Sequence, residues 1–131
     1  MRVITFGTFD LLHMGHLNIL RRAREMGDEL YVGLSSDELN FAKKKRNPIY
    51  SYADRKEILE SLRCVDFVFK EESLEKKLDY LREHQADLFV MGNDWEGRFD
   101  FCQAVCPVVY LPRTPSISTT ELIEVIVRRK G

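Results

Sequence analysis

The chain has 131 residues, 44% of them hydrophobic and 31% charged, the composition and size of one soluble globular domain rather than a disordered or fibrous chain. Twenty basic and twenty-one acidic residues leave a net charge of −1, without the cationic surplus of a protein that covers a nucleic-acid backbone. The three cysteines, Cys64, Cys102 and Cys106, are odd in number and read as free thiols of a reducing, cytoplasmic compartment rather than a disulfide framework. No apolar run reaches the ~20 residues of a membrane span, and the apolar start is too short for a signal-peptide core.

In chain order, short β-branched or aromatic runs at 2–6, 29–34, 66–69, 88–91 and 108–111 read as five strands. Three are almost continuously apolar, as in strands covered on both faces. Helical patterns fill 13–26, 52–62, 73–84 and 119–130, the first closed by Gly27 as by a C-cap and the last opened by a capping box at Ser118-Thr119-Thr120-Glu121. Strand and helix in alternation predict an α/β fold: one Rossmann-like domain spanning 1–131, a five-stranded parallel sheet with helices on both faces. In such a sheet ligands bind at the carboxyl ends of the strands, so the loops after strands one, two, four and five are the places to look.

The first of these reads Phe6-Gly7-Thr8-Phe9-Asp10-Leu11-Leu12-His13-Met14-Gly15-His16. His13 and His16 stand three apart on one face of a helix's opening turn, where free backbone N–H groups and the positive end of the dipole favour an anion. Gly15 between them permits close approach to the backbone. For a lone His-x-x-His, two helix-surface histidines are the better explanation; a metal pair on a helix prefers a spacing of four, and a third ligand is missing. The loop before the last helix, Arg113-Thr114-Pro115-Ser116-Ile117-Ser118-Thr119-Thr120, forms a second anion cradle. Ser118 alone would satisfy an N-cap, so Arg113 and the threonines exceed what capping needs. Between them lie Lys43-Lys44-Lys45-Arg46, by itself as easily a solvated run as a phosphate site, and Asn93-Asp94-Trp95 in a glycine-rich loop, where the sole tryptophan is less readily explained as plain core. Arg55 and Arg63 read equally as surface ion-pair partners or as phosphate ligands.

Gly-Thr-Phe-Asp followed by His-x-Gly-His directly after a first strand, together with the 113–120 string, resembles the cytidylyltransferase family of the HxGH nucleotidyltransferases, from about Val3 to about Glu124. The closest likeness is to the members that act on glycerol 3-phosphate. The resemblance implies transfer of a cytidylyl group from CTP, carried as its Mg²⁺ complex, to glycerol 3-phosphate, giving CDP-glycerol for teichoic-acid-type polymers, in a cytoplasmic homodimer. By resemblance Thr8, Phe9, His13, Met14, Gly15, His16, Lys45, Asp94 and the segment Arg113, Thr114, Pro115, Ser116, Ile117, Ser118, Thr119 and Thr120 bind CTP. Lys43, Arg55, Arg63 and Lys77 would hold the acceptor, and His13, His16, Lys43 and Arg113 would carry catalysis. No metal ligand of the protein's own is implied. Three positions depart from the family pattern: Ser116 replaces a glycine, the lysine loop is one residue longer and contains Pro48, and Asn93 stands for an aspartate. A choline- or ethanolamine-phosphate cytidylyltransferase, an adenylyltransferase and a nucleotide-sensing module without turnover remain alternatives at this point.

Overall fold

The computed structural model describes residues 1–112, 123, 124 and 126–128. Five strands, β1 (Arg2–Gly7), β2 (Glu29–Ser35), β3 (Phe67–Glu71), β4 (Leu88–Gly92) and β5 (Val108–Leu111), form one parallel sheet in the order β3-β2-β1-β4-β5. The order reverses direction on either side of β1, so β1 and β4 flank the crevice where such sheets take their ligands. Among the described elements α1 (Met14–Glu25), α2 (Asp37–Lys44), α3 (Tyr52–Glu60) and α4 (Lys77–Glu83) are α-helices, and 123, 124 and 126–128 are helical too.

The period of two along each strand divides the core into two layers. Val3, Leu30, Val32 and Val90 face one side with Leu20 and Ala23 of α1 and Leu59 of α3. Ile4, Phe6, Phe89 and Met91 face the other with Leu81 of α4, Phe99 and Cys102. Each fully buried aliphatic or aromatic side chain contributes about 1.5–3 kcal/mol, and both layers are closed without any disulfide: Cys64, Cys102 and Cys106 are free thiols. Gly33 is dictated by this packing, because a Cβ there would lie 2.3 Å from Cδ1 of Phe6.

Strands and the first three predicted helices stand within a few residues of their expected places, with three differences. The segment 37–44 is a helix, not a loop; Ser36 caps it through the amide of Leu39. Its pattern is polar and Asn40 is its only buried residue, so no apolar stripe announces it. The helix expected over 73–84 is broken into a 3₁₀ turn, Leu74–Lys76, and α4. Gly27 is not a left-handed cap: α1 ends at Met26 in a right-handed conformation. Glycine is needed because a Cβ at 27 would lie 2.7 Å from the Met1 carbonyl. No helix among the described residues is long and apolar enough to cross a membrane.

Candidate active site

The carboxyl ends of β1, β3 and β4 open into one cavity of about 480 Å³, within the range that accommodates a nucleotide-sized ligand. One end is built by the turn from β1 into α1. Gly7 is required there because the Phe9 ring sits where its Cβ would go, 2.7 Å away. Phe9 and Leu11 both have φ of 49°, a left-handed conformation that costs a non-glycine residue about 1–3 kcal/mol and persists only where the surroundings enforce it. The enforcement is visible. The Asp10 carboxylate accepts the amides of Ile49 (2.6 Å) and Tyr50 (2.9 Å), Thr8 Oγ1 donates to Asn40 Oδ1 at 2.8 Å, and the Phe9 ring meets His16 edge-on at 5.4 Å.

His13 is the N-cap of α1. Its Nδ1 accepts the Gly15 amide at 3.0 Å, and its own amide donates to Nδ1 of His16 at 3.1 Å. The rings stack with centroids 3.8 Å apart. Since both Nδ1 atoms are acceptors, the neutral rings carry their proton on Nε2. Burial, then the neighbouring His13 and Lys44, push His16 down to about 3. His16 is therefore an uncharged N–H donor at any neutral pH, held at a helix N-terminus that favours anions.

The other end is ionic. Lys77 and Glu71 are both 1% exposed and form an ion pair; the Lys77 ammonium also rests over the rings of Phe6 (4.0 Å) and Phe99 (5.0 Å). The second Glu71 oxygen accepts Ser35 Oγ at 3.4 Å, and Ser35 Oγ in turn receives Lys43 Nζ at 3.2 Å. Burial lowers the Lys43 ammonium to about 8, against the opposing pull of Glu71; burial lowers Lys77 too, again opposed by Glu71.

Thr8, Phe9, His13, Gly15, His16, Lys43, Lys77 and Asp94 all face this cavity, with Trp95 beside Asp94. Met14, half exposed on the first turn of α1, is not among the lining residues. Neither is Lys45. It caps α2 in a left-handed conformation (φ 60°), its amide on the Phe41 carbonyl at 2.7 Å, with its side chain exposed. Of the basic run, Lys43, Lys44 and Arg46 line the cavity.

Arg55 is placed otherwise than an acceptor ligand. It is 1% exposed and lies beneath the site, donating to the Tyr50 carbonyl (3.1 Å), the Thr8 carbonyl (2.8 Å) and Asp37 Oδ1 (2.8 Å). It fastens the β1–α1 turn, the post-α2 loop and the start of α2 to one guanidinium, which a planar five-donor group can do. Arg63 is exposed and apart from the cavity lining. Arg113, Thr114, Pro115, Ser116, Ile117, Ser118, Thr119 and Thr120 lie outside the described residues; Ile123, just beyond them, lines the cavity. Lys44 and Arg46 belong to the basic run, although the resemblance assigns a role only to Lys43 and Lys45 of it; Glu71 is in none of the motifs. The available signal for Glu71 is a carboxylate at the carboxyl end of a strand, on the same face as Phe69.

Comparison with known proteins points the same way. A family model described as cytidylyltransferase-like matches residues 4–125. Glycerol-3-phosphate cytidylyltransferase of Bacillus subtilis (strain 168) is 53% identical over 125 residues, 95% of this chain and 96% of its own. The Staphylococcus aureus (strain NCTC 8325 / PS 47) protein of the same name is 54% identical over 121 residues, 92% of this chain and 91% of its own. Among solved structures, a lipopolysaccharide core biosynthesis protein from Thermoplasma volcanium GSS1 superposes with a TM-score of 0.74 at 23% identity, covering 87% of this chain and 98% of that one, a likeness of fold.

Proposed function

Because the chain belongs to the cytidylyltransferase-like family, we propose that its cavity transfers a cytidylyl group from CTP to glycerol 3-phosphate, releasing pyrophosphate and giving CDP-glycerol. The observation that carries this reading is the pairing, in one cavity, of two histidine N–H donors at a helix N-terminus with two separate lysines, buried Lys77 and half-buried Lys43. A phosphate oxygen of the acceptor attacks the α-phosphorus of CTP, and the bond from that phosphorus to the bridging oxygen breaks. The monoester, with a second pKa near ~6, is already largely dianionic, so no general base is required. Catalysis consists of holding the two phosphates in line and stabilising the charge that builds on the α-phosphate and leaving group. Nε2–H of His16, with His13 beside it, supplies that stabilisation, and Lys44 and Arg46 offset pyrophosphate charge. Mg²⁺ belongs to the substrate: it binds mainly through phosphates and retains much of its water.

The ionic end favours a glycerol acceptor over one bearing a cation. Lys43 and Lys77 outnumber Glu71, leaving that end net positive. The aromatic faces that would receive a choline headgroup are taken: Phe6 and Phe99 by Lys77, and Trp95 by Arg98 at 5.7 Å. The proposal includes a cytoplasmic homodimer that recruits neither nucleic acid nor membrane, with its product supplied to teichoic-acid-type polymer synthesis. The test is pyrophosphate release with CTP or ATP, against glycerol 3-phosphate, ethanolamine phosphate and choline phosphate, with light scattering for the oligomer. CTP with glycerol 3-phosphate is expected to be fastest; faster turnover with ATP or a cationic acceptor overturns the assignment.

A further inference from the structure

Glu71 has no part in a scheme of histidines and lysines, yet it is the carboxylate that pairs with Lys77 and accepts Ser35, and it is only 1% exposed. We propose that Glu71 is a positioning residue for the acceptor, holding the ammonium of Lys77 directly and that of Lys43 through Ser35 where an incoming phosphate monoester meets them. This rests on the functional reading above and assigns a further residue to it.

The physical argument concerns what keeps two ammoniums in a buried place. Burial alone drives lysine toward its neutral form, and a neutral amine cannot pair with a phosphate dianion as an ion. Lys77 is 1% exposed, and among the charged and titratable groups facing it Glu71 of β3 supports the ammonium most, with Cys102 contributing less. Lys43 of α2 faces Glu71 of β3, Lys77 of α4, Lys44 of its own helix and Arg55 of α3, and only Glu71 favours its charge. One carboxylate thus supports two cations. Its two oxygens are divided between them, one on Lys77 and the other on Ser35, which fixes both stems in place. The rings of Phe6 and Phe99 flank the Lys77 ammonium on its apolar sides.

A carboxylate retained only to fill the core would lower stability when replaced but leave the pH profile alone. A carboxylate that keeps lysines charged has a different signature. The experiment is steady-state kinetics of Glu71→Gln, Glu71→Asp and Ser35→Ala from pH 6.5 to 8.5, with CTP binding measured separately by calorimetry. In Glu71→Gln, KM for glycerol 3-phosphate should rise about tenfold or more at pH 8 and the deficit should shrink toward pH 6.5 as the lysines regain their protons. CTP affinity should remain within about twofold of wild type. Glu71→Asp should recover part of the loss. Ser35→Ala, a small change that keeps the fold if Glu71→Gln does not, should raise the same KM by about threefold. A pH-independent loss, or an unchanged KM for glycerol 3-phosphate in both Glu71→Gln and Ser35→Ala, overturns the proposal. If the wild-type protein does not use glycerol 3-phosphate at all, the functional reading fails first, and that outcome is separate.

Discussion

The two ends of the cavity meet phosphate by opposite means. At the β1–α1 turn the donors are uncharged: His13 and His16 present N–H groups fixed by backbone amides and a helix N-terminus. At the β2 and β3 ends the partners are full charges, Lys43 and Lys77, kept in a dry place by Glu71. The difference suits the tasks. A donor that strengthens its bond only as charge develops lowers the barrier, whereas a fixed cation binds the dianionic acceptor before reaction and acts mainly on affinity.

The largest break should come from His16. His16→Ala is expected to lower kcat by about 10²–10³ with a smaller effect on CTP affinity; an unchanged kcat with a large rise in KM for CTP would place His16 in ground-state binding alone. Next is Arg55, which joins the two ends from beneath. Arg55→Met removes the donor to Asp37 Oδ1 and to the Thr8 and Tyr50 carbonyls and should cost about 3 kcal/mol in urea unfolding. A loss below ~0.5 kcal/mol, the range of ordinary surface changes, would return Arg55 to the surface role.

The basic run offers a finer comparison. Lys44→Ala should weaken turnover by about tenfold, as loss of one cation facing phosphate does, whereas Lys45→Ala should stay within about twofold, like an exposed charge. Equal effects at 44 and 45 would contradict the placement of α2. The smallest effect is on stability against pH. His16 stays neutral in the fold down to about 3, but the unfolded chain protonates it near ~6.5. Between those values the unfolded state binds more protons, so this residue's contribution to stability declines as pH falls from about 7 toward 4. His16→Gln should flatten that part of the pH–stability curve, and an unaltered slope would mean the ring is less buried than the structure places it.

The strands and the histidine motif were legible because they are local: apolar runs of period two, and a turn whose residues are adjacent in sequence. What was not legible depends on burial. Residues 37–44 carry no apolar stripe, so the sequence does not distinguish a basic run on a helix from one in a loop, nor show that Lys44 rather than Lys45 faces the cavity. Arg55 looks like a surface or ligand arginine until three separate loops converge on it. Glu71 is one acidic residue among twenty-one; only the topology that sets β3 beside β2 and brings α4 over it reveals Lys77 on one of its oxygens and, through Ser35, Lys43 on the other.

The division of labour is tested most directly by a matched pair, His16→Ala and Lys43→Ala, each assayed with CTP and with glycerol 3-phosphate varied in turn. His16→Ala should lose kcat with both KM values near wild type, while Lys43→Ala should lose chiefly through KM for glycerol 3-phosphate. A rise in KM for CTP in Lys43→Ala with the acceptor's KM unchanged would contradict that division, because the ionic end would then belong to the nucleotide.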